Sequence, residues 1–222
     1  MGIKSVSQKP EMESENRKAP DGDEGAALNG RPLSSALRQF TSEYLDDLKG
    51  TLSALDLDAL SQAIGWFKQA RDEGRMIYIC GNGGSASIAQ QMVVDIVKGA
   101  SFGHELRFKM IGLTDSISTI TAYANDVDYS SVFVEQLRNF ARPGDVLLAI
   151  SGSGNSRNIL KAVEYANGIG CRTIALTQRE SGTLKDIAHL TLAIPNRHMG
   201  RIEDCFFILT HMIAYAFMEG AV

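Results

Sequence analysis

The chain is poor in cysteine, proline and tryptophan, with three, five and one among 222 residues. Cys80, Cys171 and Cys205 lie far apart and lack metal-ligand spacing. That excludes a disulfide scaffold and a cysteine-built zinc module, and it points to a reducing compartment, the cytoplasm. Cys80 and Cys205 stand in apolar company and read as buried thiols. Positive charge is also lacking: 22 Lys and Arg against 26 Asp and Glu leave a net charge of −4. No broad basic surface is therefore available for nucleic acid. No apolar run reaches the length of a membrane span. The polar start, with Ser, Gln, Lys and Glu, is not a signal core, so secretion is not expected. Finally, no G-x-x-x-x-G-K-[ST] motif is present, which disfavours a nucleoside triphosphatase.

What is present is an ordinary globular composition, 44% apolar and 22% charged, in a chain long enough to bury a core. Residues 1–33 stand apart. They hold Pro10, Pro20 and Pro32 among mixed charges and glycines, with too little apolar content to offset ordering entropy. They are expected to form a flexible tail, leaving 34–222 as a single domain.

Helical spacing of Leu37, Phe40, Tyr44, Leu45 and Leu48 predicts a helix after Ser34-Ser35. A second apolar stripe, Leu57 to Ala70, ends near Gly74. Short apolar runs then alternate with helical stretches: Met76–Cys80, Phe108–Leu113, Val146–Ile150, Thr173–Leu176 and Leu190–Ile194. Ile159, Leu160, Val163, Ala166 and Ile169 give a clear helical face between the third run and the fourth. Strands apolar throughout and joined by helices predict an α/β fold with a parallel sheet. The last stretch, Ile202 to Met218, is a nearly all-apolar helix that carries Glu203, Asp204 and His211. A helix of that kind is expected to be buried, in part against another subunit.

The chemistry is carried by two loops. Cys80-Gly81-Asn82-Gly83-Gly84-Ser85 follows the first strand, and Ser151-Gly152-Ser153-Gly154-Asn155-Ser156 follows the third. Backbone N–H groups at a strand-to-helix turn, with serine hydroxyls beside them, suit a phosphate. The first loop is weakly compatible with a dinucleotide fingerprint, but that reading leaves the second serine-rich loop unexplained. Two such loops point to a phosphorylated small molecule, bound at the carboxyl ends of the strands.

These loops, together with Ala-Tyr-Ala-Asn-Asp at 122–126 and the run Gly-Asp-Val-Leu-Leu-Ala-Ile before the second loop, resemble the sugar isomerase (SIS) domain. The branch they most resemble is the phosphoheptose isomerases, over roughly residues 36–219. The resemblance implies a five-stranded parallel sheet between helices, a homotetramer with shared active sites, and a sugar-phosphate substrate. The reaction it implies is isomerisation of sedoheptulose 7-phosphate to heptose 7-phosphate. It also puts Asn82, Gly83, Ser85, Ser151, Ser153, Ser156 and Glu203 at substrate-binding positions.

By the same resemblance Asp95 and His211 take the places of the catalytic glutamate and histidine. Gln91, Asp95, Glu203 and His211 take the places of a zinc-binding set, with three of the four altered. The remaining donors are rich in oxygen, and the set is open to zinc, a harder divalent ion or no metal. If Glu203 and His211 share one helix, their Cα atoms lie roughly 12 Å apart. Gly152 stands where threonine is common and is expected to leave more room. Ser116 stands where aspartate is usual. The alternative to an enzyme is a noncatalytic SIS module that binds a sugar phosphate, or a protein partner such as a replication initiator.

Overall fold

The computed structural model describes residues 33–180 and 182–222. The expected tail, 1–33, lies outside them except for Leu33. The chain divides into two units, one ending at Tyr44 and one running Leu45–Val222. The described part of the first is the opening of helix α1 (Leu33–Ser53), where Leu37 and Phe40 are exposed. In the second unit, Leu48 and Leu52 of the same helix pack against buried core residues, while Leu45 is exposed. The stripe predicted on this helix is therefore largely uncovered.

Helix α2 (Leu57–Asp72) starts at Asp56, whose carboxylate accepts hydrogen bonds from the Asp58 and Ala59 amides. Five strands follow, β1 (Met76–Gly81), β2 (Lys109–Gly112), β3 (Val146–Ser151), β4 (Arg172–Gln178) and β5 (Leu190–Ile194). All pair in parallel, in the order β2-β1-β3-β4-β5. Between them run α3 (Gly84–Val94), α4 (Ile117–Asp126), α5 (Val134–Phe140), α6 (Arg157–Gly168) and α7 (Leu184–Ile187). The chain closes with α8 (Met199–Met218), one continuous helix.

The side-chain period of two sorts the strands into two cores. Ile77, Ile79, Leu148, Ile150, Ile174 and Leu176 join residues of α2, α3 and α8 in one buried cluster. Tyr78, Cys80, Leu147, Ala149 and Ala175 join residues of α5 and α6 in the other. The central strands β1, β3 and β4 are buried on both faces, which explains why they read as continuous apolar runs, while edge strand β2 buries only alternate residues. From β1 the chain crosses to β2 on one side, and β3 then enters on the other side. This reversal opens a crevice at the carboxyl ends of β1 and β3, which are adjacent, with Gly81 beside Ile150. Both glycine-rich loops leave from that point.

Two details depart from expectation. Ser116 is the N-cap of α4 and accepts a hydrogen bond from the Thr119 amide, while Asp115 accepts from Gly112. Both side chains are thus engaged in the backbone after β2. Helix α4, not anticipated from the sequence as an element, has no buried residue at all.

Candidate functional site

The first loop turns into α3 at Gly83, whose φ of 53° and ψ of −120° suit a residue without Cβ. Gly83 brings no side chain to cap α3, and Ser156, the N-cap of α6, makes no side-chain capping bond. By contrast α2 and α4 are capped by Asp56 and Ser116. Neither helix that starts at the crevice is closed by its N-cap side chain. At α3 the Ser85 and Ala86 amides donate to the Asn82 and Gly83 carbonyls, and at α6 the Ile159 amide donates to Asn158.

Ser151 Oγ lies 3.3 Å from Ser156 Oγ and accepts the Gly154 amide at 3.2 Å, which closes the second loop. Ser153 Oγ accepts the Asn155 amide at 3.3 Å, and Ser85 is buried at the start of α3. One of the Ser151 and Ser156 hydroxyls gives its proton to the other, while Ser153 acts as acceptor in its bond to Asn155. The expected space at Gly152 is not there. A Cβ on Gly152 would stand 2.6 Å from the Met199 sulfur, because the start of α8 lays that thioether over the loop.

Asn82 and Ser156 line a cleft of about 610 Å³ together with Asp128, Tyr129, Ser130, Arg157, Asn158 and Lys161. The last six were missed from the sequence. Arg157, Asn158 and Lys161 lie on the first turns of α6, so the signal was their closeness to Ser156. Asp128, Tyr129 and Ser130 come from a turn far off in sequence, and only the fold brings them here. Lys161 donates to the Ser130 hydroxyl and stands 3.9 Å from Asp128. The hydrogen bond from Ser130, reinforced by Ser131 and by the Lys161 charge, holds the exposed Asp128 carboxyl below the usual range.

A second group of predicted residues meets elsewhere. Asp95 follows α3 directly and begins a turn of π-helix, Asp95–Gly99, of the kind that often marks functional positions. The Gln91 amide donates to Asp95 Oδ1 at 3.1 Å. His211 Nε2 stands 3.5 Å from Asp95 Oδ2, an ion-pair distance without hydrogen-bond geometry, so this buried oxygen has no hydrogen-bond partner. The imidazole is half exposed between the Phe207 and Tyr215 rings. A poorly satisfied carboxylate oxygen facing an accessible imidazole suits proton transfer.

Glu203 does not join them. It sits against the start of α3, where a Cβ on Gly84 would meet its Oε1 at 3.0 Å. There its charge complements the positive end of the helix. α3 and α8 lie side by side, with Glu203 near Gly84, His211 near Asp95 and Met218 near Gly99. Among the described residues no group of three or more His, Cys, Asp and Glu is placed to hold a metal ion. Gln91, Asp95 and His211 offer a single nitrogen, and the Gln91 amide already serves Asp95. Structural and catalytic zinc sites take at least three converging protein donors, mostly nitrogen or sulfur. The residues of one chain do not fit a resident zinc ion.

Comparison with known proteins agrees with the loops and the topology. The model of the SIS domain matches residues 43–178. The chain belongs to the SIS domain family. It is 35% identical over 175 residues to a probable phosphoheptose isomerase of Thermoplasma acidophilum, covering 77% of this chain and 93% of that one. It is 40% identical over 144 residues to the phosphoheptose isomerase of Chlorobium phaeobacteroides, where the match spans 64% of each chain. Among solved structures, phosphoheptose isomerase GmhA from Neisseria gonorrhoeae superposes with a TM-score of 0.76 at 28% identity. That match covers 86% of this chain and all of the other. Among the described residues of this SIS chain, no helix is long and apolar enough to cross a membrane.

Proposed function

We propose that this chain is a sugar-phosphate isomerase that interconverts sedoheptulose 7-phosphate and heptose 7-phosphate. The observation that carries the mechanism is the Asp95–His211 contact, in a chain whose relatives are phosphoheptose isomerases. The phosphate is held by Ser85, Ser151, Ser153 and Ser156 at the starts of α3 and α6, neither of which is closed by its N-cap side chain. Asp95 removes the proton from the carbon beside the carbonyl, giving an enediol-like intermediate. His211 moves the proton between the two oxygens, and Asp95 returns its proton to the neighbouring carbon. No atoms or electrons are gained or lost. The roles of the two residues can be exchanged without altering that balance. Gln91 orients the carboxylate, and no step is assigned to a metal.

Length argues for a shared site. Asp95 is eleven residues along from Gly84, about 16 Å by helix rise. Eight bonds separate C1 from phosphorus in the substrate, a contour of at most roughly 12 Å at about 1.5 Å each. A phosphate at the α3 start therefore leaves C1 and C2 short of Asp95 in the same subunit. The pair of one copy serves the loops of another, in a homotetramer that works in the cytoplasm. The exposed apolar residues around the pair, Val94, Val97, Met212 and Tyr215, support this assembly.

The test is exchange at C1 and C2 of sedoheptulose 7-phosphate in deuterated water, followed by NMR. Deuterium uptake with aldose formation is expected, falling about 100- to 10,000-fold in Asp95→Asn, the range ascribed to one acid–base group. Uptake unchanged in Asp95→Asn would reject the mechanism, and no uptake in the wild type would reject the activity.

A further inference from the structure

Asn82 of the first glycine-rich loop is held by two side chains, Asn158 and Tyr129, that neither loop motif contains. Asn158, buried in the first turn of α6, accepts the Ile159 amide on its Oδ1 at 3.0 Å. A backbone N–H can only donate, so this contact fixes which end of the Asn158 carboxamide is oxygen. Its Nδ2 must then face Asn82, and it donates to Asn82 Oδ1 at 2.8 Å. Asn82 Nδ2 returns a bond to Asn158 Oδ1 at 3.0 Å. The Tyr129 hydroxyl donates to the same Asn82 Oδ1 at 2.9 Å. Both lone pairs of that oxygen are now filled, and one of the two Nδ2 protons is used. What Asn82 has left for the cleft is a single N–H.

We infer that Asn158 and Tyr129 are positioning residues that hold the Asn82 carboxamide as a one-proton donor toward an oxygen of the sugar phosphate. This deepens the isomerase reading and rests on it. Left to itself, a carboxamide turns over readily and presents oxygen as easily as nitrogen, and an oxygen aimed at a phosphate repels it. The lock removes that state before the substrate arrives, which is preorganisation in the ordinary sense. The same pair of bonds ties the end of β1 to the start of α6, so the two amino ends keep their spacing. A phosphate does not change its charge during isomerisation. The contact is therefore equal in ground and transition states and acts on KM rather than kcat.

The experiment measures KM, kcat and calorimetric affinity for sedoheptulose 7-phosphate in five proteins: wild type, Tyr129→Phe, Asn82→Ala, their double variant and Asn158→Asp. Tyr129 is more than half exposed, so its loss of one hydroxyl should leave thermal unfolding unchanged. Tyr129→Phe is expected to raise KM and Kd about three- to tenfold, as one lost hydrogen bond does, with kcat within twofold. In the Asn82→Ala background the same change should have no further effect. A Tyr129→Phe protein with wild-type KM and Kd overturns the inference. So does an undiminished Tyr129 effect without Asn82, since Tyr129 would then touch the substrate directly. Asn158→Asp, which cannot donate to Asn82, should weaken binding more than Tyr129→Phe. Binding without turnover in the wild type would sink the isomerase reading and leave the lock to be judged by Kd alone.

Discussion

Burial pushes the Cys80 thiol up to about 12, and burial together with a nearby carboxylate raises Cys171 and Cys205 to about 11. Only a trace of thiolate then exists at pH 8, and the thiolate is the reactive species. The native protein is expected to resist iodoacetamide at that pH and to label at all three positions once unfolded, which mass spectrometry would read. The sign for stability follows. Groups whose folded pKa is raised stabilise the fold fully below the ordinary thiol range, and that contribution is lost as pH rises from there through about 11 to 12. Asp95 belongs to a different class of residue. Its carboxylate is held on one side by Gln91, and its other oxygen faces the half-exposed imidazole of His211. An acid–base pair needs one reachable member, and the cysteines have none.

Elements differ in how their ends are closed. Asp56 caps α2 through two amides, and such caps are worth about 1 kcal/mol. Asp56→Ala should lower the urea midpoint by the equivalent of about that amount and leave kcat/KM unchanged. The starts of α3 and α6 make the complementary case, since neither N-cap side chain makes a capping bond. The strands were legible as short apolar runs between helical stretches, α2 and α6 by their 3.6-residue apolar stripe, and α8 by its length of apolar residues. Helix α4 was not, because its stripe is short: Ile120, Tyr123 and Ala124 pack against the core only partly buried. The loops were legible as glycine- and serine-rich strand-to-helix turns from Gly83, Ser85, Ser151 and Ser156 alone. The cleft wall was not, since Tyr129 reaches Asn82 across 47 residues and Asn158 reaches it across 76. The fate of Glu203 was equally hidden. Sequence spacing gave its distance from His211 along α8, but not that it faces Gly84.

At the scale of the molecule, apolar surface remains where one chain cannot cover it. Ile117 on α4 is 75% exposed, and Phe207, Met212, Tyr215 and Met218 are exposed along the apolar α8. In a lone chain, changing so exposed a residue as Ile117 would shift stability by no more than about 0.5 kcal/mol. In a tetramer that covers it, a charge there is expensive. Ile117→Asp is expected to move the sedimentation coefficient toward smaller species and to lower isomerase activity in parallel, although Ile117 does not line the cleft. A variant that still sediments as the wild type would place α4 outside the interface.

The contact between Gly152 and Met199 bears on how such a chain can change over generations. A side chain at 152 and the Met199 sulfur claim the same space, 2.6 Å apart. That sulfur is near the far end of a flexible, half-exposed side chain, so a rotation of Met199 makes room, and a larger residue at 152 can arise without a prior change at 199.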